Sequence, residues 1–307
     1  LKKFEILLST YNGERYISEQ LNSLMNQTHR NFNIIIRDDG STDQTSAIVS
    51  QWASNYPDWI RFVPGENIGV IKSFLWLLQH SSSDSDYFCF CDQDDVWMPH
   101  KLTSAATHLE SLGTSNPAMV FTSTQMTTSD LTPIKVWPSA ISKVPSFYNA
   151  LIQNIAVGAT IAFNREARSL LCSKQPSAEN VLMHDWWVYL CVSAFGKVRF
   201  EPEPSILYRQ HANNVVGGEG STWDKIKKKW QSYRKHKGRR LLHKQALEFY
   251  TLYGDQVDSD KREQLTLFLA PRPKTRDRMT YLYRSKLYRQ STVEQVLFKF
   301  LILIHYV

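Results

Sequence analysis

Long apolar runs are missing from this 307-residue chain. No stretch reaches the about 18 consecutive apolar residues that a membrane-spanning helix needs. Cysteine is scarce: there are four, Cys89, Cys91, Cys172 and Cys191, without the paired spacing of a metal site. Cys89 and Cys91 lie two apart on one apolar run, so on a strand they share a face. All four read as reduced core residues of a cytosolic protein. No secretory leader is visible, although the chain begins without Met. There is no internal repeat, and no glycine-rich phosphate loop of the kind that supports a nucleotidyltransferase. With 42% hydrophobic and 21% charged residues, disorder as a whole is excluded and a sizeable core is available.

Charge is unevenly placed. Residues 1–220 hold 16 Lys and Arg against 21 Asp and Glu, a net −5, and residues 221–307 hold 20 against 8, a net +12. A boundary near residue 220 is therefore expected, between an acidic body and a basic helical extension. In the run from Trp223 to Lys244, ten basic residues are interleaved with Trp223, Trp230, Tyr233, Leu241 and Leu242. Such a segment suits an anionic membrane surface, and a solvated helical face is the plainer alternative. Nucleic acid is a weaker partner, because no binding module is recognisable. The apolar stretch Val296–Ile304 is too short to span a bilayer; it can pack on the body, mediate self-association into a homo-oligomer, or dip into lipid.

Residues 1–125 alternate strand-like and helix-like patterns. Strands are expected at Phe4–Ser9, Asn33–Arg37, Ile60–Val63 and Tyr87–Cys91, and helices from Ile17 to Gln27, from the Asp38–Asp43 turn to about Ser54, and from Val70 to Gln79. This order implies an α/β fold with a mostly parallel sheet and flanking helices. Ligands of such sheets bind beyond the carboxyl ends of the strands. Residues 126–157 read as an irregular excursion, Thr160–Phe163 as a further strand, His184–Phe195 as a helix, and Lys197–Phe200 and Ile206–Tyr208 as short strands.

The polar turns after the strands carry the chemistry. The run Asp92-Gln93-Asp94-Asp95 follows a buried strand, and carboxylates crowded there repel one another unless a cation is present; Mg²⁺ or Mn²⁺ is the natural partner of such oxygens, and a solvated acidic turn is the alternative. At Thr10-Tyr11-Asn12-Gly13-Glu14, Gly13 permits a tight turn and Tyr11 offers a flat face to a nucleobase. In Asp38-Asp39-Gly40-Ser41-Thr42-Asp43, either Asp38 or Asp39 can read a nucleotide while Ser41 or Asp43 caps the next helix. Asp185 opens an aromatic helix, and Trp186 and Trp187 divide between stacking on a sugar and filling the core. Arg209 can neutralise phosphate oxygens or pair with a carboxylate, and His211 follows it in a polar turn.

Taken together, Ser9-Thr10-Tyr11-Asn12-Gly13, Asp38–Asp43, Asn67-Ile68-Gly69 and Asp92–Asp95 resemble the family-2 glycosyltransferases, over about residues 1–215. The resemblance implies a GT-A fold, Rossmann-like, and inverting transfer of a sugar from a nucleotide-sugar donor. It implies that Thr10, Tyr11, Glu14, Asp39 and Asp92 face the nucleotide, that Asp94 holds the metal with His211 near it and the diphosphate, and that Asp185 is the general base. Asp95 assists the site or caps the following turn. The pair before the aromatic helix is Glu-Asp in the family and His184-Asp185 here, a departure at His184. The set Asp92–Trp97, His184–Trp187 and Tyr208–His211 is similar to the rhamnosyltransferase branch. That implies dTDP-L-rhamnose as donor and a lipid-linked bacterial surface polysaccharide as acceptor, with an enzyme peripheral to the inner face of the cell membrane. A UDP-sugar donor, galactose or N-acetylglucosamine, and a non-catalytic nucleotide- or glycan-binding module remain as alternatives.

Overall fold

The structure is a computed structural model and describes residues 1–113, 115–210 and 241–305. His211, and all of the basic run up to residue 240, lie outside the described residues. The N-terminal half runs β1 (Phe4–Thr10), α1 (Ile17–Met25), β2 (Phe32–Asp38), α2 (Thr45–Asn55), β3 (Ile60–Pro64), α3 (Val70–Gln79), β4 (Tyr87–Cys91), β5 (Val96–Trp97) and α4 (Lys101–Leu112). It continues through β6 (Ala118–Thr122), β7 (Thr124–Thr127), β8 (Pro133–Trp137), α5 (Phe147–Ala150), a 3₁₀ turn (Gly158–Thr160), β9 (Ala162–Asn164) and α6 (Arg165–Ser173). The remainder is α7 (His184–Phe195), β10 (Lys197–Glu201), β11 (Ile206–Arg209), α8 (Leu241–Tyr253), α9 (Ser259–Leu269), α10 (Thr275–Arg284) and α11 (Thr292–Leu303).

A seven-stranded sheet, ordered β10, β6, β9, β4, β1, β2, β3, forms the centre. Its strands are parallel except β9, which runs antiparallel to both β4 and β6. β1 and β4 are buried along almost their whole length, as apolar strands covered on both faces must be. Alternate residues feed two cores. Leu7, Phe88 and Phe90 point to one side, and Ile6, Leu8, Cys89 and Cys91 to the other, so the two cysteines do share a face. Burial pushes the Cys89 thiol up to about 12, which keeps it protonated and inert. Register places Thr10 opposite Asp38 and Leu8 opposite Cys91, so three polar loops leave the sheet at one edge.

Three sequence expectations are corrected. The excursion at 126–157 contains β8, which pairs antiparallel with β7 in a second sheet ordered β5, β11, β7, β8. β8 was not legible because its apolar residues are mostly solvent-facing, so no burial pattern marks it. The strand expected from Thr160 starts at Ala162, after a 3₁₀ turn closed by Thr160 N–H on the Val157 carbonyl. Helix α1 stops at Met25, because the Gln27 amide is turned to the Met98 carbonyl and the Leu102 N–H.

The helices after residue 240 share the core of the N-terminal part. Phe249 and Tyr253 of α8 pack on Trp187 with ring centroids 6.2 and 6.5 Å apart, and Phe298 and Ile302 of α11 join the same cluster. Trp187 is 1% exposed, which makes it the core-filling member of the Trp186–Trp187 pair and not a sugar contact: an indole buried under α8 has no face left for a ligand. Trp187→Ala is expected to cost about 3–5 kcal/mol in urea unfolding, as other buried aromatic truncations do.

Candidate active site

The first two loops are stitched to each other before any ligand arrives. Asp38 accepts hydrogen bonds from Thr10 Oγ1 (2.7 Å), Ser41 N–H (3.0 Å) and Ser41 Oγ (2.6 Å), so its carboxylate is spent on the scaffold. Gly40 sits at φ +77°, and a Cβ there would lie 2.8 Å from the Asn67 nitrogen, so the turn needs glycine on both counts. Glu14 Oε2 accepts from Gln44 N–H at 2.9 Å, at the amino end of α2. That corrects its assignment to the nucleotide: its carboxylate anchors a helix start, and it is not among the residues that line the cavity.

Asp39 occupies the wall between the loops. Its oxygens accept from Ile68 N–H and Gly69 N–H, each at 2.9 Å, and from the Arg37 guanidinium, which also donates to the Glu66 carbonyl. The two amides precede α3, where backbone donors lack partners within the helix. A carboxylate offers roughly four acceptor positions. With three in use, Asp39 keeps capacity for a ligand donor while being held in place.

A cavity of about 470 Å³ lies over these loops, lined by Ser9, Thr10, Tyr11, Asp39, Asn67, Gly69, Val70, Phe74, Asp92, Gln93, Asp94, Asp95, Tyr208 and Arg209. Tyr11 is 47% exposed on its rim. Gln93, between the acidic residues, clamps the first loop: Oε1 accepts from Tyr11 N–H at 2.8 Å, and Nε2 donates to the Tyr11 carbonyl at 2.9 Å. A Cβ on Gly13 would fall 2.2 Å from that Oε1, so a larger residue there would displace the Gln93 amide and open the clamp.

The acidic loop is short of positive charge. Asp92 is pushed up to about 7 by burial, then by Asp94 and Asp185, and Asp95 is raised by burial and by Asp94 and Asp92. Asp95 Oδ1 accepts from Arg209 N–H, but Oδ2 is buried without a partner among the described residues. Two cations lie beneath. Arg209 donates to the Asp94 and Ser129 carbonyls (2.9 and 3.2 Å), pairs with Glu19, and lies 4.5 Å over the Tyr16 ring. Its side chain therefore braces the acidic loop through Glu19 and two carbonyls, the carboxylate pairing that the sequence left open, while the residue still lines the cavity. Lys101 is buried; its ammonium donates to the Ala159 carbonyl and Ser205 Oγ, and lies 4.5 Å from the Trp97 ring. Burial pulls its pKa down, while Asp95 opposes that shift.

Asp185 stands in the first turn of α7, where the helix dipole favours an anion. Oδ1 accepts from Trp186 N–H at 2.6 Å and Oδ2 from Gly158 N–H at 3.1 Å, and the Asn154 side chain also bonds to it. Burial nevertheless raises it to about 6. Its charge reaches Asp92, and the Tyr208 phenol, raised first by burial, feels Asp92, Asp95, Asp94 and Asp185 together. Asp92, Asp94, Asp95 and Tyr208 line the cavity, and Asp185, which is not among the lining residues, lies near enough for its charge to act on Asp92 and Tyr208.

His184 is a neutral filler rather than an acid. Its ring stacks on Phe74 (3.8 Å, 18°) and meets Phe90 edge-on (4.9 Å, 86°), and burial lowers it to about 3. Trp186 is half-buried, its Nε1 donating to the Ala150 carbonyl at 2.6 Å, and it does not line the cavity. Sequence reasoning missed Gln93, Tyr208, Gly158 and Lys101. Gln93 and Tyr208 stand inside motifs but carry no role that the motifs assign, and Gly158 and Lys101 act only through partners distant in sequence. Metal-ligand spacing is also incomplete: among the described residues no group of three or more His, Cys, Asp or Glu could hold an ion.

Comparison with known proteins agrees with this geometry. Residues 5–170 match the description "Glycosyl transferase family 2". The dTDP-rhamnosyl transferase RfbG of Shigella flexneri is 30% identical over 252 residues, covering 74% of this chain and 81% of that protein. An uncharacterized glycosyltransferase of Nostoc is 26% identical over 277 residues, covering 85% of this chain and 80% of its own length. Among solved structures, S. aureus TarS 1-349 in complex with UDP-GlcNAc superimposes with a TM-score of 0.60 at 16% identity, over 87% of this chain and 71% of that one. At that identity the likeness establishes the fold, a GT-A fold.

Proposed function

The chain belongs to glycosyl transferase family 2, and we propose that it is a metal-dependent inverting transferase that moves L-rhamnose from dTDP-L-rhamnose to a hydroxyl of a bacterial surface-polysaccharide precursor. The observation that carries the reading is the meeting of Asp39, Asp92 and Asp94 in one cavity, with Asp185 close enough to raise Asp92. The rhamnose assignment is supported by the Shigella flexneri relative, and the lipid-linked acceptor at the inner face of the cell membrane follows from the motif resemblance to the rhamnosyltransferase branch.

Tyr11 and Asp39 receive the base and Asp92 the ribose. The acidic loop fits a divalent ion in charge and donor chemistry: Asp94 with Asp92 supplies hard oxygens, and the orphaned Asp95 Oδ2 marks a place where positive charge is missing. Donor phosphates would complete the coordination that the described side chains leave open, and His211, outside the described residues, is the further ligand that the resemblance implies. A bound ion there stabilises negative charge on a departing diphosphate.

Asp185 does the proton work. The acceptor oxygen forms a bond to the anomeric carbon as the bond from that carbon to the phosphate oxygen breaks. The hydroxyl proton passes to an Asp185 oxygen, and the electron pair leaves with the nucleoside diphosphate. Backbone N–H groups at Gly158 and Trp186 fix the orientation of the carboxylate while leaving acceptor capacity on each oxygen. Attack opposite the leaving group inverts the carbon in one displacement.

A thermal-shift series tests the donor. With Mn²⁺ present, dTDP is expected to raise Tm more than UDP or GDP; a ligand at 100 times its Kd stabilises by about 2.7 kcal/mol. A larger shift with UDP would move the assignment to a UDP-galactose or UDP-N-acetylglucosamine donor.

A further inference from the structure

The last two helices are apolar on the side that faces away from the protein. Helices α10 and α11 pack as an antiparallel pair: Arg278 Nη1 donates to the Leu303 carbonyl at one end, and Gln295 Nε2 to the Leu287 carbonyl at the other. Tyr281, Phe298, Leu301 and Ile302 turn inward and are buried. With 3.6 residues per turn, Met279 and Tyr283 lie opposite Tyr281, and Val293, Val296, Phe300 and Ile304 lie opposite the buried face of α11. Their exposure agrees: Tyr283 is 91% exposed, Val293 72%, Val296 63% and Phe300 50%. Single exposed apolar residues need no explanation, but six on one side of one hairpin form a patch.

The charge around the patch selects what covers it. Residues 271–305 carry eight Lys and Arg against two acids, Asp277 and Glu294; Arg284, Lys286 and Arg289 pair with Glu263, Asp260 and Glu294, and Arg272 is buried. Lys274, Arg276 and Lys299 are exposed on the two helices or at their start. A second copy of the hairpin would bring like charge against like. The chain's own residues 211–240 are also basic, with nine Lys and Arg against two acids. An aqueous surface that is both apolar and cationic matches an anionic lipid interface, where aromatic and aliphatic side chains enter the acyl boundary while lysine and arginine stay at the headgroups. No helix of the described residues is long and apolar enough to cross a membrane, so the hairpin would lie in the interface.

We infer that the α10–α11 hairpin is a docking face for anionic phospholipid, with Val296 and Phe300 at its centre. This inference deepens the membrane location proposed above, and its test needs no sugar donor, so it can fail without the transfer reading failing. The full-length protein is sedimented with vesicles of phosphatidylcholine alone and of phosphatidylcholine with phosphatidylglycerol, at low and high salt. Expected is binding to the anionic vesicles at least about tenfold tighter than to the neutral ones, and weakened by salt. A neutral double variant, Val296→Ser with Phe300→Ser, is expected to lose about tenfold at both salt levels, because the apolar part of the contact is removed without changing charge. Both positions are exposed, so an unchanged Tm identifies a folded variant. Equal binding by variant and wild type, equal binding to both vesicle types, or no binding would overturn the inference. So would a wild-type dimer that the variant dissolves without any vesicle effect, which would assign the face to a second copy.

Discussion

Asp185→Asn is expected to lower kcat by about 10²–10⁴-fold, the range contributed by a positioned general base. The amide keeps the shape of the carboxylate, but its single oxygen can accept from only one of Gly158 and Trp186 N–H, and its NH2 faces the other; neither residue lines the nucleotide cavity, so donor binding should persist. A dTDP thermal shift close to wild type, together with lost turnover, would be the signature. Turnover near wild type would remove Asp185 from the base role. The pH profile gives a second reading. Asp185 acts as a base only when ionised, and burial holds its carboxyl at about 6. Rate should fall as pH drops below about 6, and the asparagine variant should lack that limb.

Stability should move the other way. A carboxyl whose folded value is raised is destabilising once ionised: its favourable contribution is present at low pH, below the unfolded value, and is lost as pH rises through the folded value. Asp92 at about 7 and Asp185 at about 6 place that loss between pH 4 and 8. Asp185→Asn removes one of these two titrations, so its loss of Tm between pH 4 and 8 should be smaller than that of wild type, which separates a chemical defect from misfolding.

Removing the divalent ion is expected to have an effect of similar size. Chelation should reduce transfer by about 10³-fold or more, since several kcal/mol of charge stabilisation are lost and each 1.36 kcal/mol is tenfold. Asp94→Asn should reproduce much of that loss. It should also abolish any rise in Tm on adding Mn²⁺ or Mg²⁺ in the presence of dTDP, while leaving the fold intact. Full activity in excess chelator would refute the metal assignment, and with it the reading of Asp95 Oδ2 as a sign of missing positive charge.

Much of the site was legible because its residues lie at the ends of strands whose apolar runs are unmistakable. Phe4–Thr10 and Tyr87–Cys91 announce themselves, and whatever follows them must be at the carboxyl edge of a parallel sheet. Roles were less legible than places. Glu14, Trp187 and Arg209 sit inside recognisable motifs, yet the fold uses one as a helix anchor, one as core and one as a bracket. A motif constrains where a residue is along the chain, whereas its partner is decided by which distant segment arrives beside it. β8 shows the same limit, since exposed apolar residues leave no period to read.

The amino-acid order by itself determined the alternation of elements, the parallel sheet, the three acidic clusters and the split between an acidic body and a basic end, because these follow from local periodicity and composition. Only the tertiary structure decided that Gln93 clamps Tyr11, that Gly158 holds Asp185, that Lys101 lies buried near Asp95, and that α8 covers Trp187. It also decided which side of α11 is left outside. Such contacts join residues far apart in sequence, and their energies depend on burial and on field, quantities that exist only once the chain has closed on itself.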